Sequence, residues 1–260
     1  MMRTFAIVNR KGGVGKTTTA IELAYILATS CKQRVLLIDA DSQANATSIL
    51  GTEDPGGGLA AVLKKEAYYY ENVICTTEIN GLDLLPATEE LAELDMECLL
   101  GQIQPDFQTM NELIAVLAED DAYDSIVIDC PPYYSLSCIN AIAASDGIII
   151  PTGTDAYSAT GMAGLVRQID SIRRVCPHVR VLGCLVTKWH RADHVEDAVD
   201  YLREASPVPV FQTVIRRTDK VEESSWARLS VQQWSPFSGA SRDYRAWVAE
   251  LLDREGISCE

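Results

Sequence analysis

Arg10-Lys11-Gly12-Gly13-Val14-Gly15-Lys16-Thr17-Thr18-Thr19 decides the reading of this chain. Before it runs Thr4-Phe5-Ala6-Ile7-Val8-Asn9, a short apolar and β-branched run that predicts a buried strand. After it, residues 20–28 place apolar side chains at helical spacing. Strand, glycine loop and helix together are the setting of a phosphate-binding loop. Gly12, Gly13 and Gly15 have no Cβ, so the backbone can turn its N–H groups inward around an anion. The helix that follows adds unpaired N–H groups and the positive end of its dipole. Lys16 supplies a point charge for the β- and γ-phosphates, the Thr17 hydroxyl a ligand for Mg2+, and Val14 and Thr18 further phosphate contacts. The Gly-x-x-x-x-Gly-Lys-Thr pattern is met only in its second half, because Arg10 stands at its first position and a second lysine, Lys11, at the loop entrance.

Working outward, Arg34-Val35-Leu36-Leu37-Ile38-Asp39 predicts a second buried strand that ends in a carboxylate, with Asp41 two residues on. Ligands of open α/β sheets collect at the carboxyl ends of strands, so both aspartates point towards the nucleotide, where a carboxylate can orient an attacking water. Asp41 is also an expected N-cap for a helix over residues 43–50. Further strands are expected at 81–87, 123–129, 147–151 and 179–187, and helices at 59–65, 88–100, 107–119, 155–175 and 242–254, with another closing between 140 and 146. Tyr123-Asp124-Ser125-Ile126-Val127-Ile128-Asp129 is an apolar strand delivering Asp129 to the Mg2+ shell, the Walker B arrangement.

The 260 residues are 47% hydrophobic, which suits one α/β domain over 1–260. The formal net charge of −15 is uneven: residues 1–130 hold 8 basic and 21 acidic side chains, residues 131–260 hold 14 and 16. That balance argues against a strong constitutive DNA binder, but phosphate contacts are local, so a switched one with a basic face remains open. The eight cysteines show no paired C-x-x-C and read as reduced thiols in a cytoplasm rather than disulfides or metal ligands. Cys130 and Cys138 invite comparison with the cluster ligands of the nitrogenase iron protein, and nothing around them supports it. His178, His190 and His194 read as surface residues, and Tyr68-Tyr69-Tyr70 as a partly buried loop. The chain enters its first strand at once, which leaves no room for a signal peptide, and no run is long and apolar enough to span a bilayer.

Lys-Gly-Gly-x-Gly-Lys-Thr with Lys11 in front, Asp-x-Asp at 39–41, and Asp129-Cys130-Pro131-Pro132 resemble the deviant Walker A ATPases of the ParA/MinD superfamily, over a stretch from Phe5 to Leu252. The resemblance implies a doubly wound, mostly parallel β-sheet flanked by helices, with ATP and Mg2+ at its carboxyl edge. It implies an ATP-dependent homodimer in which Lys11 reaches the partner's phosphates, Asp41 activates water, and Asp39 supports the Mg2+ held by Thr17 and Asp129. Ser42 and Ala44 replace the proline and glycine of the family's Asp-x-Asp-Pro-Gln-Gly-Asn segment. Arg216 and Arg217 are assigned to the nucleotide, with Arg216 standing in place of the family's proline. Non-specific DNA binding in the ATP state falls to Lys188, Arg191, Arg217 and Lys220. Slow hydrolysis, stimulation by a DNA-bound ParB-type partner, and a cytoplasmic protein that joins the nucleoid with ATP follow from the same resemblance. No DNA-reading segment precedes Thr4, which places the chain among the short family members. Two other readings stay open: a MinD-like ATPase positioning protein cargo or acting at a membrane, and a ligase that phosphorylates a carboxylate. The acidic residues Asp243, Glu250, Asp253, Glu255 and Glu260 oppose a membrane-targeting final helix, and Lys11 opposes the ligase.

Overall fold

The computed structural model describes residues 2–51, 57–67, 69–153, 158–174 and 176–259. The expectations for Tyr68, for Glu260 and for the ends of the 155–175 helix lie outside them. Eight strands form one sheet: β1 (Arg3–Ile7), β2 (Val35–Asp39), β3 (Cys75–Thr76), β4 (Leu82–Leu85), β5 (Ser125–Asp129), β6 (Gly147–Thr152), β7 (Arg180–Trp189) and β8 (Val210–Arg216). Their order is β3-β4-β2-β5-β1-β6-β7-β8, and every pairing is parallel except β3 with β4. The chain moves outward from β1 in both directions, so the crevice at the carboxyl end of β1 is the topological switch point where such sheets take ligands.

The helices are α1 (Lys16–Thr29), α2 (Asn45–Leu50), α3 (Gly58–Leu63), α4 (Glu90–Leu99), α5 (Thr109–Glu119), α6 (Leu136–Ala143), α7 (Ser158–Arg173), α8 (Asp193–Ala205), α9 (Asp219–Trp226), α10 (Val231–Trp234) and α11 (Gly239–Glu255). They cover both faces, and the strands show why. Phe5 and Ile7 of β1 join Val35 and Leu37 of β2 under α1 and α11, while Ala6, Leu36 and Ile38 face the opposite layer with α3, α4, α5 and α6. Period-two alternation of fully apolar strands is what a sheet buried on both faces requires. The final helix packs as its apolar stripe implies, with Tyr244, Trp247, Val248, Leu251 and Leu252 all buried. No described helix is long and apolar enough to cross a membrane.

Three expectations are corrected. Cys31 and Cys259 form a disulfide, not a pair of reduced thiols, with Cα atoms 4.5 Å apart. Gly256 ends α11 in the left-handed region (φ 66) and turns the chain back, and Ile257 packs against the layer under α1, which lays Cys259 beside Cys31. Residues 228 apart leave no spacing to read. Of the other six cysteines, Cys130, Cys138, Cys176 and Cys184 are buried. Second, the 43–50 helix begins only at Asn45, because Asp41 accepts the Gln43 N–H (3.0 Å) in a turn of its own and caps nothing. Third, β3, β8, α8, α9 and α10 were not expected from sequence, and β8 forms one edge of the sheet.

Candidate active site

The phosphate loop is fixed from beneath. Asn9 donates through Nδ2 to the Pro151 carbonyl (2.7 Å) and accepts the Lys11 N–H (2.9 Å), tying the loop entrance to β6. Thr187 of β7 donates to the Val14 carbonyl (2.9 Å) and holds the crest. Gly13 and Gly15 sit at φ 71 and 81, where a side chain is strained, and Gly15 is the N-cap of α1. The ammonium of the buried Lys16 donates to the Lys11 carbonyl (3.4 Å), folded over a curl of backbone N–H groups suited to an anion.

Above the loop opens a cavity of about 810 Å³, the size range of small-molecule sites. Gly12, Gly13, Gly15, Lys16, Thr17 and Thr18 form its floor, Asp41 and Tyr133 one wall, Lys188, Arg216 and Arg217 the other. Val14 is buried behind the loop, and Lys11 is half-buried at its entrance. Arg191 and Lys220 do not line the cavity; both are exposed, and Lys220 pairs with Glu223 at 2.7 Å. Lys188 and Arg217 are brought together by β7 and β8, where Trp189 is in register with Arg216 and the Arg217 N–H bonds the Trp189 carbonyl (2.6 Å). The Arg216 guanidinium turns to Asp243 of α11, with Nε at 2.7 Å and Nη2 at 2.8 Å from its two oxygens. Gly239 makes room for it, since a Cβ there would collide with the arginine side chain.

Three strand-end carboxylates stand behind the loop. Asp39 and Asp129 are cross-strand neighbours in β2 and β5, both fully buried. Asp39 accepts from the Thr47 N–H (2.9 Å), the Thr47 hydroxyl (2.8 Å) and the Asp41 N–H (3.2 Å). Burial nonetheless pushes its pKa up to about 6, and the Asp41 charge adds to the rise. Among the described residues neither carboxylate oxygen of Asp129 has a hydrogen-bond partner. Burial pushes its pKa well above the usual range, Asp39 adds to this, and the Thr17 hydroxyl and Lys16 charge oppose it. Two orphaned buried oxygens next to a threonine hydroxyl fit a hard cation such as Mg2+, which takes oxygen ligands from one or two protein groups and fills its shell with phosphate and water. The histidines form no such site: among the described residues no group of three metal-ligating side chains was found. Sequence reasoning missed Thr187, Tyr133 and Tyr244 as lining residues, because each reaches the cavity through a long-range contact.

A family model described as "AAA domain" matches residues 2–180. The chromosome-partitioning ATPase Soj of Thermus thermophilus is 35% identical over 255 residues, covering 97% of this chain and 96% of Soj. The chain belongs to the ParA/Soj family of ATPases. Among solved structures, cobyrinic acid a,c-diamide synthase from Mycobacterium smegmatis, with bound ADP and magnesium, superposes with a TM-score of 0.83 at 26% identity, covering 98% of this chain and 96% of the synthase. MinD from Pyrococcus horikoshii, complexed with Mg-ADP, shares the fold with a TM-score of 0.80 at 24% identity, covering 98% of each chain. The mostly parallel sheet between helical layers is therefore that of the ParA/MinD-type ATPases, as the deviant loop implied.

Proposed function

We propose that one domain, residues 1–260, works as an ATP-driven switch that dimerises on ATP and partitions DNA. The observation that supports this reading is the pairing of β7 with β8, which brings both Lys188 and Arg217 to the lining of the phosphate cavity. Cations there sense the nucleotide state and face outward to a second charged partner. Lys16 and the loop N–H groups bind the phosphates, and Lys11 is assigned to the phosphates of a second copy. Asp41 orients the attacking water, and Asp39 supports the Mg2+ site while its carboxylate also accepts the Asp41 N–H. Thr17 and Asp129 hold Mg2+, which when bound neutralises charge developing between the β- and γ-phosphates. Arg217 and Lys188, with the more distant Arg191 and Lys220, supply phosphate contacts to non-specific DNA. A DNA-bound ParB-type protein is the expected activator, and the ATP state is expected on the nucleoid of the cytoplasm.

Duplex DNA binding is measured with ATP, ADP and no nucleotide at two salt concentrations, together with ATPase activity and dimer mass. Binding that needs ATP and weakens with salt supports the reading, and Lys16→Ala abolishes turnover. Unchanged ATPase activity in Lys16→Ala sinks the site. DNA binding that ignores nucleotide sinks the switch. A second reading, an enzyme that activates a carboxylate substrate, is supported by the likeness to the Mycobacterium smegmatis synthase. Failure of ATP to drive dimerisation favours it.

A further inference from the structure

The Asp41 loop and the chain from Asp129 onward meet at three points. At their base, Asp39 and Asp129 are in register, and the Ala40 N–H donates to the Asp129 carbonyl (2.9 Å). Further along, the Ser137 hydroxyl donates to the Ala40 carbonyl (2.7 Å). At the tip, beyond Asp41, the Ser42 hydroxyl lies 3.0 Å from the Tyr133 hydroxyl. Tyr133 is carried on Pro131-Pro132, two residues whose rings fix φ, so its ring projects from a stiff arm. Its neighbour Tyr134 lies under the Arg10 guanidinium, 5.4 Å from the ring centroid, at the start of the phosphate loop. One tyrosine pair therefore touches both loops that border the phosphate cavity.

We propose that Tyr133 and Ser42 form a clasp that holds the Asp41 carboxylate in place for hydrolysis, and that both are positioning residues. The Asp41 loop needs such a tie. Ala44 closes it at φ 51, a left-handed conformation that a residue with a Cβ resists, so the loop is held against its own backbone preference. The Asp41 backbone is tied by its N–H to Asp39 (3.2 Å) and by its carbonyl to the Ala44 N–H (2.8 Å), while its carboxylate accepts one hydrogen bond among the described residues, from the Gln43 N–H (3.0 Å). The clasp adds a restraint from the neighbouring strand on the residue next to Asp41. Because a carboxylate that must orient water loses rate when it is free to swing, the clasp acts on turnover and not on nucleotide affinity. The inference rests on the hydrolytic reading of the site.

The test uses the full chain with Tyr133→Phe, Ser42→Ala, the double variant, and Ser42→Thr. A single neutral hydrogen bond is worth a factor of about three to ten in rate. Each single hydroxyl deletion is expected to lower kcat by about that factor with KM unchanged, the double variant to match the singles, and Ser42→Thr to keep wild-type turnover. Turnover within twofold of wild type in Tyr133→Phe overturns the clasp, as does a rise in kcat, a multiplicative double variant, or a KM that rises in step. Hydrogen exchange of residues 40–46 in the nucleotide-free protein gives a second arm that needs no activity. Faster exchange there in Tyr133→Phe and Ser42→Ala supports the clasp, and unchanged exchange overturns it. Absent ATPase activity in the wild type counts against the hydrolytic reading alone, and the exchange arm still decides the clasp.

Discussion

Glu22 shows what a single buried carboxyl does to this protein. It lies on α1, fully buried, with Oε1 accepting the Val231 N–H (2.6 Å) and Oε2 without a partner among the described residues. Burial lifts its pKa from 4.5 to about 7, against hydrogen bonds from Val231 and Gln232 and the Arg245 charge. The folded state thus keeps a proton that the unfolded state has lost between these values, so stability falls as pH rises through that window and levels off above it. The shift corresponds to about 3 kcal/mol. Urea midpoints at pH 5, 6, 7 and 8 are expected to show Glu22→Gln gaining on the wild type by roughly that amount; a difference that does not change with pH contradicts the assignment. At this scale the sequence is legible where function is local. Lys16, Thr17, Asp39, Asp41 and Asp129 announce themselves by lying at strand ends and in the loop, and all converge. Arg216 also lines the cavity, but its pairing with Asp243, 27 residues on in α11, is a tertiary contact that no local pattern shows.

At the scale of elements, α11 is the brace of the far side of the sheet. Trp247 is fully buried, edge-on to Phe211 of β8 (5.9 Å between centroids) and to Tyr244 (6.2 Å), and Tyr244 in turn lines the nucleotide cavity. Trp247→Ala is expected to cost about 3–5 kcal/mol in urea unfolding, the range for emptying an aromatic core site. It is also expected to weaken nucleotide binding, since Tyr244 and Arg216 both rest on this helix; unaltered affinity would show that the cavity wall stands without it. The helix was readable from its stripe of apolar residues, and β1, β2 and β5 from their apolar runs. β8 was not, since Val210-Phe211-Gln212-Thr213-Val214-Ile215-Arg216 mixes polar and apolar residues, as an edge strand does. The short α2 was misjudged by two residues because a turn at Asp41 looks, in sequence, like a cap.

For the molecule as a whole, sheet order and disulfide are properties of the folded chain alone. The phosphate-loop motifs pointed to the doubly wound sheet, yet only tertiary structure sets β1 between β5 and β6, or brings Cys259 to Cys31. Cross-linking residues 228 apart removes much freedom from the unfolded chain, about 5 kcal/mol in the loop-entropy account. Dithiothreitol or Cys259→Ser is accordingly expected to lower the denaturation midpoint, with the two treatments not adding. A midpoint insensitive to both would mean that the tail bears no load.

The same bond changes the topology of the polypeptide. With Cys31 joined to Cys259, residues 31–259 make a closed covalent ring, and the phosphate loop with the whole of α1 hangs from it as a tail. A ring cut once stays in one piece. Proteolysis in the exposed turn around Gly101 would therefore open the ring without dividing it, and the two fragments would part only when a thiol reductant joins the denaturant.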